Sequence, residues 1–242
     1  GPEEINDKNR IFKNGIGSYK IIMEKTENLR NKGMVSARAT ITPGCVDQDK
    51  IEEQLRNEGF ASVGSAMAHE LFSNEDYLRA YKCLSSGMDK VREMLNEKQC
   101  DIDRLNQIGF VGYLRGIHES KEADFGCGAG RKMIAVDING DVYPCQRFVG
   151  VESCKLGNIY ELELDQKKFL DKTYIDSDER QKCRKCWIRK LCLGTCAHSS
   201  YVNTGKVTEN SEILCTFYRA LYEDATKFYV ALTDEEKKLL FG

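Results

Sequence analysis

This sequence has almost no excess charge, no long apolar run, no export signal and no repeat. Its 36 basic and 38 acidic side chains leave a net charge of −2, which provides no global basic field and argues against nucleic acid as a partner. No apolar stretch approaches the roughly 18 residues that a membrane-spanning helix needs, so no bilayer partner is expected. The N-terminus lacks the basic-then-apolar layout of a secretory signal, and the expected location is the cytoplasm. The 242 residues suit one large domain or two modest ones, and no low-complexity linker interrupts them. A hydrophobic content of 41% allows a real core, and 31% charged residues is ordinary for a globular chain.

Cysteine is what the sequence has in excess. There are 11, an odd number, concentrated in the second half as Cys127, Cys145, Cys154, Cys183, Cys186, Cys192, Cys196 and Cys215. Small secreted domains use such density as disulfide staples, but this chain is too large and too rich in core residues to need them. Without an export signal, the same density points to metal binding or catalysis.

The first half reads as alternating helices and strands. Apolar positions at Tyr19, Ile22, Met23, Thr26 and Leu29 fit a helix that Gly33 stops. Met34 to Ile41 alternates like a strand, Gln48 to Asn57 carries Ile51 and Leu55 on one helical face, and Phe60 to Met67 is a second strand. This β-α-β order implies parallel strands with a helical crossover. Ser73 followed by Asp76 is an N-cap signature, and one long helix is expected from there to about Lys98, with a core stripe of Tyr81, Leu84, Met88, Val91 and Leu95. Another helix is expected from Asp101 to His118. From Met133 the apolar alternation, Asn139-Gly140 and the return to Cys145 predict a hairpin with a type I′ turn. A final long helix is expected from Ile213 to Leu232, with a charged tail helix from Thr233.

The chemistry concentrates in Cys183-x2-Cys186-x5-Cys192-x3-Cys196, four thiols within fourteen residues. A CxxC turn aims two sulfurs at one metal centre. Adding Cys127, Cys145 and Cys215 gives too many ligands for a single tetrahedral zinc or one [4Fe–4S] cluster, each of which takes four, so two centres are implied. Lys182, Arg184, Lys185, Arg189 and Lys190 interleave with these cysteines, and such charge would offset an anionic cluster, although for each one alone a solvated surface role is the better reading.

Cys127, Gly140, Cys145, the CxxC-x5-C-x3-C run and Cys215 together resemble the seven-cysteine SPASM motif of radical S-adenosylmethionine enzymes. The resemblance implies an α/β architecture: a partial (β/α) radical-SAM-type barrel with its linking helices over residues 1–120, then a cysteine-rich α+β SPASM domain with a β-hairpin over 121–242. It implies two auxiliary [4Fe–4S] clusters, one held by Cys183, Cys186, Cys192 and Cys215, the other by Cys127, Cys145 and Cys196. Either Cys154 is the fourth ligand of that other cluster, or that position stays open for a substrate thiolate and Cys154 is a buried free thiol. Gly1-Pro2 and the residues after it resemble the segment following the fourth barrel strand, unless Gly1-Pro2 remains from an expression tag. Arg10 and Arg38 are then candidates for the AdoMet side of the barrel, with a structural ion pair the competing role. His118 and His198 read as structural.

The CxxxCxxC loop of that family, which holds the AdoMet-cleaving cluster, does not occur in this sequence, and Cys45, Cys83 and Cys100 are too far apart to replace it. The chain therefore reads as part of a longer enzyme. AdoMet and a third [4Fe–4S] cluster are expected only in the parent, and no radical chemistry from this chain alone. Tyr143 to Gly150 followed by Lys155 to Ile159 resembles maturases that install thioether crosslinks in cysteine-rich ribosomal peptides. The implied partners are a ribosomal precursor peptide and an electron donor such as flavodoxin or ferredoxin. Gln146 stands where anaerobic sulfatase maturases carry a basic aspartate, and an amide cannot take that proton. A structural zinc or peptide-docking module without redox chemistry is the rival class.

Overall fold

The computed structural model describes residues 1–97, 101–119, 123–161 and 164–242. Lys98 at the end of the expected long helix, Cys100, and the expected domain boundary between residues 120 and 121 lie outside the described residues. The architecture is mixed α/β, with small sheets and many helices. It divides into two compact units, Gly1–Glu119 with Ala220–Gly242, and Ser120–Arg219.

The first unit opens with α1 (Glu3–Asn9) and α2 (Tyr19–Asn31), neither of which has a buried residue. Strand β1 (Ala37–Ile41), helix α3 (Gln48–Asn57) and strand β2 (Val63–Met67) follow. The strands pair in parallel, from Ala37 opposite Val63 to Ile41 opposite Met67, as the β-α-β order requires. Ala39 and Ile41 point inward while Arg38 and Thr40 face solvent, the period of two that a half-covered strand shows. Ile51 and Leu55 of α3 pack on that inner face, and the Asp47 side chain caps α3 by accepting from the Lys50 amide at 3.1 Å.

Ser73 and Asp76 form the expected capping box at the start of α4 (Asn74–Ser85), but the single helix expected to reach Lys98 is broken. It stops at Ser85, and α5 (Gly87–Leu95) resumes after Ser86. Two local causes act there. The Ser86 hydroxyl donates to the Cys83 carbonyl at 2.7 Å, competing with the backbone ladder, and a Cβ at Gly87 would stand only 2.8 Å from Phe110 Cβ. The apolar stripe survives the break, with Leu84 and Val91 buried. The helix expected from Asp101 to His118 is likewise two pieces, α6 (Ile102–Leu105) and α7 (Gly109–Glu119). Asp49 accepts from the Gly109 amide at 2.9 Å where α7 begins.

In the second unit, β3 (Ala135–Val136), β4 (Asp141–Tyr143) and β5 (Gly157–Asn158) form an antiparallel sheet. The expected hairpin is there, but its turn is not type I′, because Gly140 (φ +84°) has positive φ and Asn139 does not. The Asp137 carbonyl accepts from the Gly140 amide at 3.1 Å, and Asp137 Oδ1 accepts from the amides of Asn139 (2.8 Å) and Asp141 (3.0 Å). This is a three-residue loop, a type I turn completed by a left-handed glycine. The side chain of Asp137 decides it, a determinant that the Asn-Gly pair alone does not reveal.

Helices α8 (Gln166–Thr173), α9 (Gln181–Arg184), α10 (Arg189–Cys192) and α11 (Ala197–Thr204) complete that unit. Phe148, fully buried, meets Phe169, His198 and Tyr201 edge-on with centroids 5.6, 5.2 and 6.4 Å away. Val142, Tyr143 and Leu156 close this core, so one aromatic ring ties the sheet to α8 and α11. Helix α12 (Glu212–Val230) contributes its first turns to this unit, and its remainder counts with α13 (Asp234–Phe241) in the first. There Ala225, Leu232 and Leu240 share a core with Phe110, Val111 and Leu114. Among the described residues no helix is long and apolar enough to cross a membrane.

Candidate functional site

Cys183 lies on α9, and a turn closed by the Cys186 amide on the Cys183 carbonyl at 2.9 Å brings Cys186 back beside it. Cys192 ends α10, and Cys215 sits in the first turns of α12. These four half-buried thiols line one cavity of about 570 Å³. Burial pushes the Cys192 thiol up to about 12, and the neighbouring Cys215, Cys183 and Cys186 push in the same direction. Burial also raises Cys215 to about 11, with Cys183 and Cys186 adding to it. Such thiols hold their protons at neutral pH unless a metal centre displaces them.

A second group forms around Cys145, which is buried just past β4. Its thiol is raised first by burial, then by the nearby sulfurs of Cys196 and Cys127. Cys196 is the N-cap residue of α11. The Arg147 guanidinium donates to Cys196 Sγ at 3.2 Å and to Ser199 Oγ at 3.4 Å.

The two groups are joined by a left-handed reversal. Leu193, Gly194 and Thr195 have φ of 54°, 76° and 62° in succession, a conformation that non-glycine residues adopt at a cost. Asn210 holds it, donating to the Gly194 carbonyl at 3.1 Å and accepting from the Thr195 hydroxyl at 2.9 Å. The reversal carries the chain from Cys192 in one group to Cys196 in the other.

Cys154 is placed differently. It is buried in the core beside Phe148 and Leu156, its thiol raised by burial, and the charge that reaches it is that of Lys172 rather than of any cysteine. It faces a separate cavity of about 390 Å³ that Lys168 and Tyr201 also line. Cys154 thus shares a core with Cys145 but lines a cavity that Cys127, Cys145 and Cys196 do not.

Arg10 and Arg38 are exposed in the first unit. Arg38 lies over the paired strand, close enough that a Cβ at Gly64 would meet its Nη1 at 2.6 Å. His118 bonds the Tyr229 hydroxyl at 3.0 Å and stacks on Phe241, and His198 packs on Phe148, both structural roles. Several basic residues between the cysteines serve surface ion pairs: Arg184 with Asp178, Arg189 with Asp176 at 3.3 Å, and Lys190 with Asp124 at 3.4 Å. Two arginines come within hydrogen-bond reach of a cysteine sulfur, Arg147 of Cys196 and Arg180 of Cys183, and the charge of Arg219 reaches Cys215. Neither Arg147 nor Arg180 stood out in the sequence, although each is two or three positions from a cysteine.

Residues 127–187 match the SPASM family, an iron–sulfur cluster-binding domain. The match contains Cys127, Cys145, Cys154, Cys183 and Cys186, and the remaining cysteines of the two groups follow it. A SPASM domain binds iron–sulfur clusters, and thiolates are the donors such clusters take. The chain is also 31% identical over 99 residues to an uncharacterized protein of Archaeoglobus fulgidus, an alignment covering 39% of this chain. It spans 23% of that relative's length. Among the described residues no three His, Cys, Asp or Glu side chains converge on a single ion. The four cysteines of the larger group instead stand around the wall of a cavity, a donor set that fits a cluster.

Proposed function

We propose that the second unit holds two auxiliary [4Fe–4S] clusters of a radical SAM peptide maturase. Cys183, Cys186, Cys192 and Cys215 hold one, and Cys127, Cys145 and Cys196 hold the other. The observation that carries this reading is the separation of the SPASM cysteines into a group of four around one cavity and a group of three around Cys145. Bound there, the clusters supply single-electron transfer. The chain's own residues set their surroundings: Arg147 donates to a sulfur of one group, and the Asn210-held reversal fixes the distance between the groups.

In this reading the first unit is the end of a partial radical-SAM barrel, supported by the parallel pairing of β1 and β2 around α3. Arg10 and Arg38 would then face AdoMet, and AdoMet with a third cluster would belong to the parent enzyme. The substrate is a ribosomal precursor peptide, the parent reaction is thioether crosslinking, and a flavodoxin or ferredoxin supplies electrons. Gln146 is exposed and, as an amide, offers no base for a sulfatase-maturase reaction. The core placement of Cys154 favours a smaller group whose fourth corner stays open for another ligand. Anaerobic reconstitution with iron and sulfide, followed by visible and electron paramagnetic resonance spectra, tests the reading. A brown chain with acid-labile sulfide supports it. A colourless chain that takes up zinc alone supports the structural-module class instead.

A further inference from the structure

Arg180 is 2% exposed, and an arginine cannot shed its proton. Its Nε donates to the Lys172 carbonyl at 3.2 Å and its Nη2 to the Val207 carbonyl at 2.8 Å, both neutral acceptors. Its Nη1 points to Cys183 Sγ at 4.0 Å. Among the described residues no carboxylate pairs with it. Of the acids on the cavity wall, Asp178 pairs with Arg184, Glu209 with Lys206 and Glu212 with Arg219, and the charge of Glu179 acts on Lys206. A buried cation without a counter-charge is costly, and native structures keep one only where an anion compensates it. The backbone has been shaped to admit this one. At Gly194 (φ +76°) any Cβ would overlap Arg180 Nη1 at 2.1 Å.

We infer that the anion Arg180 awaits is the thiolate-ligated cluster of Cys183, Cys186, Cys192 and Cys215, and that Arg180 raises its reduction potential. The inference rests on the cluster reading above and assigns a role to a side chain outside the ligand set. A cluster held by four thiolates is a net anion and gains one further negative charge with each electron accepted from a low-potential donor of the flavodoxin or ferredoxin class. Net charge and hydrogen bonds to sulfur are what tune such potentials. A fixed cation beside Cys183 favours the reduced, more negative state and raises the potential. The two carbonyl bonds hold the guanidinium fork in place, as a flexible lysine would not.

The test compares the reconstituted unsubstituted (parental) chain with Arg180→Met by iron content and by redox titration followed by electron paramagnetic resonance. The signal that disappears in Cys186→Ala identifies the cluster concerned. Arg180→Met should shift that signal to a more negative potential and leave the other cluster's potential unchanged. Without iron, the same variant should be at least as stable as the parental chain, because it removes an uncompensated buried charge. A parental potential in a fully loaded Arg180→Met, with stability lost in both the iron-free and loaded forms, would make Arg180 a structural residue and overturn the inference. Should Arg180→Met not fold, Arg180→Gln, neutral but able to donate to one of the carbonyls, provides the same comparison. Failure of both neutral variants to fold without iron also overturns it. A parental chain that loads no cluster refutes the underlying reading as well, whereas a loaded parental chain with unshifted variants refutes only the role of Arg180.

Discussion

Replacing Gly194 with alanine probes the left-handed reversal and the packing of Arg180 in one step. Two costs add. An alanine at φ +76° carries about 1–2 kcal/mol of backbone strain. Its Cβ would also stand 2.1 Å from Arg180 Nη1, on a guanidinium that the Lys172 and Val207 carbonyls hold from the other side. Overpacking of that kind costs about 1–3 kcal/mol, so the expected loss is about 2–5 kcal/mol, large against the 5–15 kcal/mol of a typical domain. Gly205 provides the control. It too has φ +76°, as the residue ending α11, but nothing lies within 4 Å of a Cβ built there. Gly205→Ala should therefore show the strain alone, about 1–2 kcal/mol, and the entropy that any Gly→Ala change removes from the unfolded chain cancels between the two. Urea unfolding of the iron-free chain, followed by the fluorescence of Trp187, reads the second unit, since Trp187 is the single tryptophan. Equal losses for the two variants would refute the close packing of Arg180 on Gly194.

Further outcomes follow from other parts of the molecule. Cys186→Ala should lose about half of the bound iron, as one of two cubanes goes, while Cys154→Ala should keep the parental iron content and signal; a loss in Cys154→Ala would make it a ligand after all. Phe148→Ala, which empties the centre of the second unit's core, should cost about 3–5 kcal/mol in the same urea experiment. The Asp76 carboxyl is held down to about 2 by Ser73, with Arg79 assisting, below its unfolded value of roughly 3.9. Its contribution to stability is therefore full above about pH 4 and lost as the pH falls toward 2, and acid titration of Asp76→Asn should show a shallower loss over that interval.

The parts of this fold that local chemistry determines were legible in the sequence. The Ser73–Asp76 capping box, the β-α-β pairing and the charged tail helix after Thr233 all appear where residue type and spacing put them. The features that differed depend on particular side-chain contacts, near or far along the chain. The break at Ser86 owes as much to Phe110, packed against Gly87, as to the serines themselves, and the turn type at Gly140 depends on a side chain three positions back. At the site, the CxxC turn and the short Cys192–Cys196 interval constrain sulfur positions locally, whereas the division of the cysteines into two groups was implied by the SPASM resemblance. Spacing could not place Cys154, whose burial against Phe148 comes from core packing. Nor could it separate Arg180, buried beside Cys183, from the exposed basic residues around it, since that distinction is one of burial and not of residue type.

The number of irons the chain binds tests the two-cluster division most directly. Anaerobic reconstitution of the unsubstituted 242-residue chain, with iron and acid-labile sulfide determined per chain, should saturate at about eight irons, as two cubanes demand. Saturation near four would leave one of the two cysteine groups without a cluster and contradict the division on which the proposed function rests.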